Sequence, residues 1–253
     1  VRIGPEEYLM GGDIIVAGLE GQRGGPRLRA VAATDLVARP ADFLAARKPL
    51  VVNFGRSGNS AETVGTLEAL DALAADAPRL NITCNADSQL ASRSRGKDHL
   101  IVLPADSHDS GFAMTSSFST MLFTALMLVG QGATAEKLIR AADICENGLV
   151  TLPAKTGDAP ARLAFVGTGA LTYAARESAL KVMELSAGRI PCLWDSILGF
   201  RHGPKSFVDA GTQVVVLTGY DTAKAHYERD LIEELRLQFP EALTEGRPVC
   251  ARK

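Results

Sequence analysis

Cysteine and histidine are both scarce in this sequence. The 253 residues include four cysteines, which are Cys84, Cys145, Cys192 and Cys250. None belongs to a Cys-x-x-Cys pair, and none has a histidine at the spacing of a metal ligand. This pattern predicts reduced thiols in a cytoplasmic protein, and it argues against a disulfide framework or a metal site.

The sequence also lacks an excess of charge and a long apolar run. Lysine and arginine total 27 and aspartate and glutamate total 29, a net charge of -2. We therefore expect neither nucleic acid nor an anionic membrane surface as a partner. The longest apolar stretch, Thr120–Gly130, is shorter than the ~18 residues of a membrane span and predicts a buried helix. Near the N-terminus no basic segment precedes an apolar core, so we expect no secretory signal.

Short apolar runs alternate with helical patterns in the middle of the chain. The runs lie at Leu50–Phe54, Leu80–Asn85 and His99–Pro104. Continuous apolar strands separated by helices predict an α/β fold with a parallel sheet covered by helices on both faces. Further helices are predicted around Ser116–Val129 and Thr134–Asn147.

The alternation restarts after Thr151–Arg162, a segment of small residues and proline that predicts a linker. Strands are predicted there at Arg162–Gly169, Ile190–Asp195 and Thr212–Gly219, and helices at Ala170–Gly188 and Thr222–Phe239. The sequence therefore predicts two tandem domains, residues 1–150 and 151–253. Three strands are fewer than the ~5–6 of an average sheet, so the second domain is expected to be incomplete.

The N-terminal part fits this pattern poorly. Asp13–Gly18 and Leu28–Thr34 are predicted as its two strands. The segment between them contains three glycines and a proline. It is shorter than the ~10–12 residues that a helical crossover needs.

The most informative stretch is "GRSGNSAET", where an apolar strand ends and a helix begins. A helix N-terminus offers unpaired N–H groups and a positive dipole end to an anion. Ser57 and Ser60 add hydroxyl donors, Gly55 and Gly58 let the backbone approach closely, and Arg56 adds a charged fork. The alternative is a simple turn with Ser60 as the N-cap. The number of small and hydroxyl residues favours a phosphate site, although neither the Walker nor the dinucleotide fingerprint is present.

A second pattern lies on the long helix, where Glu177, Lys181 and Glu184 share one face. The commoner explanation is a solvated face with an ion pair. The functional alternative is a carboxylate base beside a lysine, which can remove a proton alpha to a carbonyl as an aldose–ketose isomerase requires.

The third feature is "GFRHGPKS", where His202 lies in a glycine-bounded turn between Arg201 and Lys205. This basic setting suits a histidine that acts near neutral pH on an anionic sugar. The other histidines have no comparable context and are predicted to be structural; they are His99, His108 and His226.

In their order, "GRSGNSAET", "NITCN", "RESALKVMEL" and "FRHGPKS" resemble the sugar-isomerase (SIS) family. Their order is close to that of the bacterial tagatose-6-phosphate ketose/aldose isomerases, also described as galactosamine-6-phosphate deaminase/isomerases. The isomerase half of glucosamine-6-phosphate synthase is more distantly similar. The resemblance covers roughly Val31–Leu237 and implies two SIS domains, no metal or organic cofactor, a phosphorylated hexose or hexosamine as substrate, and a homo-oligomer.

The resemblance also implies roles for individual residues. Ser57 and Ser60, with the backbone around Gly55 and Arg56, would hold the phosphate, and Ser88 would make a weaker substrate contact.

In the second domain Glu184 would shuttle a proton between C1 and C2 with Lys181 beside it. His202, often donated by a neighbouring subunit, would assist ring opening. The implied reaction is aldose–ketose isomerisation, or conversion of an amino sugar phosphate to a ketose phosphate with release of ammonia. The alternative is a sugar-phosphate-binding protein without catalysis, or a decayed enzyme.

The sequence departs from the family pattern at both ends. The family carries a Gly-x-Gly-Thr-Ser turn after its first strand, whereas Ala17–Gly25 contains no serine or threonine. The family also continues beyond residue 253. We therefore expect a truncated or altered product whose second sheet exposes an unpaired edge, with poor solubility or dependence on an oligomeric partner.

Overall fold

The structure is a computed structural model that describes residues 2–4, 6–19, 27–44, 49–94, 96, 98–129, 134–151, 159–219 and 222–248. The chain forms two compact units, residues 1–130 and 131–253. Each contains its own parallel β-sheet flanked by helices, which confirms the predicted α/β class. None of the helices in the described ranges has the length and apolarity needed to cross a membrane.

The first unit contains a five-stranded sheet of order β2-β1-β3-β4-β5, with all pairings parallel. Its strands are β1 (Arg2–Gly4), β2 (Ala30–Ala32), β3 (Val51–Gly55), β4 (Arg79–Thr83) and β5 (His99–Val102). Its helices are α1 (Glu6–Leu19), α2 (Ala33–Ala38), α3 (Pro40–Leu44), α4 (Ala61–Leu73), α5 (Gln89–Ser92) and α6 (Ser116–Val129), and a 3₁₀ turn covers Ala105–Ser107.

Two apolar clusters cover the faces of this sheet. Val51 packs in one cluster with Leu36 and Leu70, which come from α2 and α4. Phe54, three residues further along β3, packs in the other cluster with Met121 of α6. Alternate strand residues point to opposite faces, so both faces of β3 are covered by helices.

The second unit contains a four-stranded parallel sheet of order β7-β6-β8-β9. Its strands are β6 (Arg162–Gly167), β7 (Cys192–Ser196), β8 (Thr212–Thr218) and β9 (Leu243–Pro248). Its helices are α7 (Ala135–Thr151), α8 (Ala170–Leu185), α9 (Ile197–Arg201) and α10 (Thr222–Gln238), and a 3₁₀ turn covers Pro204–Phe207. The core joins β6 and β8 to Phe200 of α9 and to Leu231 and Leu235 of α10.

One predicted strand near the N-terminus is wrong. Asp13–Gly18 lies inside α1, and the first strand is Arg2–Gly4. A short apolar run cannot be assigned to strand or buried helix by periodicity alone. The predicted strand at Leu28–Thr34 is confirmed as Ala30–Ala32. Within the segment compared above with the family's first turn, Ala17–Leu19 belongs to α1, and residues 20–25 lie outside the described ranges.

The predicted count of three strands in the second sheet is also wrong. The strand β9 pairs with β8 in parallel and adds a fourth strand. Its sequence, "LTEGRP", lacks the β-branched composition of a buried strand, and most of it is exposed. Edge strands tolerate charge, glycine and proline, which explains why the sequence pattern missed it. Most of the predicted linker, residues 152–158, lies outside the described ranges.

Candidate active site

The turn that joins β3 to α4 lies at the carboxyl edge of the first sheet. Gly55 ends β3, and Gly58 has a left-handed backbone with φ of 62°. A Cβ at Gly58 would lie 2.6 Å from Ser88 Oγ. Only glycine therefore satisfies both the backbone conformation and the close approach of Ser88.

The turn is held to the loop and helix after β4 by uncharged groups. Three hydrogen bonds make this connection: Leu90 N to Gly58 O (3.1 Å), Gln89 N to Asn59 Oδ1 (2.8 Å) and Asn85 Nδ2 to Ser57 O (3.1 Å). The neighbouring strands β3 and β4 are parallel, so their carboxyl ends bring these segments together. The path of the turn is thus held by hydrogen bonds within the protein.

Ser60 occupies the N-cap position of α4, as the simpler alternative predicted, but its side chain makes no capping hydrogen bond. Its Oγ instead lies 2.8 Å from Thr63 Oγ1. The Oγ of Ser57 accepts a long hydrogen bond of 3.4 Å from Asn59 N. The N-terminus of α4 consequently lacks a capping hydrogen bond from Ser60, an arrangement that suits an anionic ligand.

Arg56 follows Gly55 but is occupied elsewhere. Its Nη1 donates hydrogen bonds to the backbone oxygens of Asp109 (3.0 Å) and Gly111 (3.4 Å). The guanidinium therefore connects the turn to the loop that precedes α6. We retain its backbone, and not its charged fork, as the candidate phosphate contact.

The N-terminus of α6 shows the contrasting arrangement. The carboxylate of Asp109 accepts hydrogen bonds from Thr115 N (3.1 Å), Ser116 N (3.0 Å) and Ser117 N (2.8 Å), and from Ser117 Oγ (2.6 Å). Burial alone would raise the pKa of Asp109, but these hydrogen bonds outweigh it and lower the pKa to about 2. A carboxylate of the protein thus fills this helix terminus.

Ser88 is buried behind the turn and has no exposed surface. Its Oγ donates to Asn85 O (2.7 Å) and accepts from Ala91 N (3.1 Å), which makes it the N-cap of α5. Ser88 also packs closely against the turn at Gly58. Its role as a substrate contact stays a prediction.

In the second unit, Glu177, Lys181 and Glu184 lie on one face of α8, as their spacing predicted. Lys181 Nζ is 2.7 Å from Glu184 Oε2 and 3.4 Å from Glu177 Oε1. Their side chains are only 15% (Lys181), 11% (Glu184) and 10% (Glu177) exposed, so the alternative of a solvated face is wrong. One ammonium group thus contacts two carboxylates in a largely buried cluster.

His202 follows the last residue of α9 and is exposed. Its backbone N–H donates to Gly199 O at 3.0 Å. The basic setting predicted from the sequence is altered by Glu234 of α10. Glu234 Oε2 lies 3.1 Å from Arg201 Nε, and Glu234 Oε1 contacts Lys205 Nζ. Both cations next to the histidine are therefore engaged by one carboxylate.

The remaining histidines are exposed. His99 and His108 belong to the first unit, and His226 forms an exposed ion pair with Asp230 at 3.5 Å. Their structural role stays a prediction.

The structure brings Gly55, Arg56, Ser57 and Ser60 together in one turn and pairs Lys181 with Glu184 in the other unit. Sequence reasoning missed Asp109 and Glu234. Asp109 caps a helix that begins seven residues later, and Glu234 sits within the acidic stretch of α10 beside Glu233. No spacing rule distinguishes either residue from its neighbours.

Comparison with known proteins identifies the family of the chain. The SIS domain family matches residues 30–130. The D-galactosamine-6-phosphate deaminase AgaS of Escherichia coli is 42% identical over 234 residues, which are 89% of this chain and 61% of that protein. The crystal structure of tagatose-6-phosphate ketose/aldose isomerase from Escherichia coli superposes with a TM-score of 0.90 at 37% identity, over 96% of this chain and 69% of that one.

Glucosamine-6-phosphate deaminase from Thermotoga maritima shares the fold, with a TM-score of 0.73 at 21% identity over 98% of this chain and 75% of that one. The chain spans about three fifths of the length of the curated relatives it matches, 58% and 61% for two of them. At 37% identity over more than two thirds of a solved relative, the relationship is one of family. The chain belongs to the SIS (sugar isomerase) family, with relatives that include the AgaS galactosamine-6-phosphate deaminases and a tagatose-6-phosphate ketose/aldose isomerase.

Proposed function

We propose that this protein is a sugar-phosphate isomerase/deaminase that acts on galactosamine 6-phosphate or tagatose 6-phosphate. The observation that carries the proposal is the nearly buried Lys181–Glu184 pair, with 2.7 Å between Nζ and Oε2. An isomerase needs a carboxylate base held at a fixed position in a partly dry site, and an adjacent ammonium group can hold it there. The names of the similar proteins supply the substrate class.

The turn after β3 is the proposed phosphate site. The first N–H groups of α4 and the backbone of Gly55 and Arg56 supply donors that need no positive side chain. The hydroxyls of Ser57 and Ser60 supply further donors. A phosphate bound in this way is held mainly by neutral hydrogen-bond donors. The directions of these hydrogen bonds position the substrate in addition to the attraction of its charge.

Glu184 is the proposed base. It would take the proton from the carbon next to the carbonyl or imine carbon of the open-chain sugar and return it to the neighbouring carbon. Lys181 would hold the Glu184 carboxylate in place through their ion pair. His202 would move the ring-oxygen proton when the sugar opens. For an amino sugar, addition of one water then releases ammonia and leaves the ketose phosphate.

The organisation of the chain enters the same proposal. The second unit, a parallel sheet with flanking helices, is proposed as a second SIS domain, and the boundary between residues 150 and 151 stays a prediction. A homo-oligomer and a reaction without metal or organic cofactor are also proposed, since the family resemblance implies them. A cytoplasmic location is proposed from the cysteine pattern of the sequence.

The test is ammonia release from galactosamine 6-phosphate, with tagatose 6-phosphate isomerisation measured in parallel. Glu184→Gln should lower kcat by about 10²–10⁴-fold, the usual contribution of a general base. Glu241→Gln is the matched control, because Glu241 is an exposed carboxylate of the same unit. Activity that survives Glu184→Gln would remove the proposed base. Binding without turnover in the unaltered protein would support the non-catalytic alternative.

A further inference from the structure

The two cations that flank His202 meet at a single carboxylate on another helix. We propose that Glu234 is a positioning residue that holds the turn carrying His202. The inference rests on the proposed function, because it concerns the histidine assigned to ring opening. Glu234 itself is not proposed to touch the substrate.

Glu234 contacts residues that precede and follow His202 in the chain. Arg201, immediately before His202, has its Nε 3.1 Å from Glu234 Oε2. Lys205, three residues after His202, contacts Glu234 Oε1 with its Nζ. Each carboxylate oxygen therefore serves one cation, and the two ends of the turn are tied to the same point on α10.

Local backbone hydrogen bonds hold each half of the turn separately, and the one from Ser206 N to Gly203 O (2.9 Å) lies in the second half. His202 is exposed, so packing does not restrain its side chain. Gly199 and Gly203 lie on either side of it, and glycine has more backbone freedom than any other residue. A backbone hydrogen bond from His202 N to Gly199 O, 3.0 Å long, spans the first half of the turn. The two ion pairs of Glu234 add a constraint across its whole length.

Glu234 is not needed to attach α10 to the unit. Leu231 and Leu235, its neighbours on α10, are fully buried in the same cluster as Phe200 of α9. The side chains of Glu234, Arg201 and Lys205 are instead partly exposed, at 27%, 25% and 20%. Partly exposed ion pairs contribute little to global stability. Loss of the carboxylate should thus alter the turn while the fold persists.

The experiment compares Glu234→Gln, Glu234→Asp and Glu233→Gln in the full chain. Glu234→Gln should lower kcat for galactosamine 6-phosphate by about 10- to 100-fold, the cost of a misplaced catalytic group, with KM within about threefold. Glu234→Asp keeps the charge and should recover most of kcat. Glu233→Gln makes the same change at an exposed neighbouring position and should match the unaltered protein.

A second readout separates this inference from the proposed function. Amide hydrogen exchange over residues 199–208 should be faster in Glu234→Gln than in Glu233→Gln, whether or not the protein turns over sugar. Absence of turnover in the unaltered protein would count against the proposed function alone. Unchanged exchange and unchanged kcat in Glu234→Gln would overturn the positioning role. A kcat loss that follows a fall in Tm and is not recovered by aspartate would overturn it as well.

Discussion

The turn after β3 and the face of α8 are built from different chemistry. The turn is held by backbone, amide and hydroxyl groups, and its neighbouring arginine is bonded to carbonyl oxygens of another loop. The face of α8 is held by one ammonium between two carboxylates. Neutral donors suit a site that must hold an anion without exchanging protons. Titratable groups suit a site that must move protons.

The same contrast appears between the two long helices that begin near the first unit's sheet edge. The N-terminus of α6 receives the carboxylate of Asp109, whereas Ser60 at the start of α4 makes no capping hydrogen bond. A helix N-terminus that is capped by a carboxylate of the protein does not require an anionic ligand. A helix N-terminus without side-chain capping favours binding of an external anion. The comparison thus distinguishes a structural helix terminus from a candidate binding one.

Removal of the Lys181 ammonium group from α8 should cause the largest loss of stability. Lys181→Met leaves two nearly buried carboxylates side by side, and we expect a loss of about 3–5 kcal/mol in the free energy of unfolding measured in urea. The double variant Glu177→Gln/Lys181→Met should lose less than the single one, because one of the repelling charges is gone. Lys137→Met, on the exposed face of α7, is the control. A loss below about 1 kcal/mol in Lys181→Met would show that the Lys181–Glu184 pair contributes no more than an exposed ion pair.

The stability contributed by the turn after β3 should depend on backbone conformation and close packing rather than on charge. Gly58→Ala combines a left-handed backbone, which costs about 1–2 kcal/mol for a non-glycine residue, with a contact of 2.6 Å to Ser88 Oγ. We expect a total loss of about 2–4 kcal/mol in unfolding free energy. Gly96→Ala has the same sign of φ but nothing within 4 Å of its Cβ, so it isolates the backbone contribution. Equal losses in the two variants would contradict the close packing of Ser88 on the turn.

The capped terminus of α6 should give the smallest effect, visible only at low pH. The pKa of Asp109 is lowered to about 2, below the ~3.9 of an unfolded aspartate. Its contribution is therefore present above pH 4 and lost as the pH falls towards 2. Solvent screening of this partly exposed group limits the contribution to about 1 kcal/mol.

The corresponding measurement is unfolding by urea at several pH values between 2 and 5. Asp109→Asn should remove this part of the pH dependence, while Asp106→Asn, at an exposed position of the neighbouring 3₁₀ turn, should retain it. If the unfolding free energy changes with pH equally in Asp109→Asn and in the unaltered protein, the capping role of Asp109 is contradicted.

The features predicted correctly from the sequence are those fixed by local rules. The order strand, glycine-rich turn and helix around Gly55–Ser60 follows from backbone geometry and apolar periodicity. The shared face of Lys181 and Glu184 follows from the helical repeat. Both depend on residues at most seven positions apart, so they can be read without knowledge of tertiary contacts.

The features that sequence reasoning missed depend on contacts distant in the chain. Glu234 is 29 residues from Lys205, and the guanidinium of Arg56 reaches a loop 53 residues away. The strand β9 forms because β8 offers it an edge, not because its own residues favour strand. Asp13–Gly18 was mistaken for a strand because a buried helix can carry the same apolar residues. Each of these outcomes is decided by tertiary packing.

The most direct test asks whether the turn after β3 controls substrate binding while the face of α8 controls turnover. Calorimetry should measure galactosamine 6-phosphate binding to Glu184→Gln and to the Ser57→Ala/Ser60→Ala double variant. We predict that Glu184→Gln binds within about threefold of the unaltered protein although its turnover falls by about 10²–10⁴-fold. The double variant should bind about 10- to 100-fold more weakly, since it loses hydrogen bonds to a charged group. Normal binding by the serine variant together with lost binding by Glu184→Gln would contradict the account.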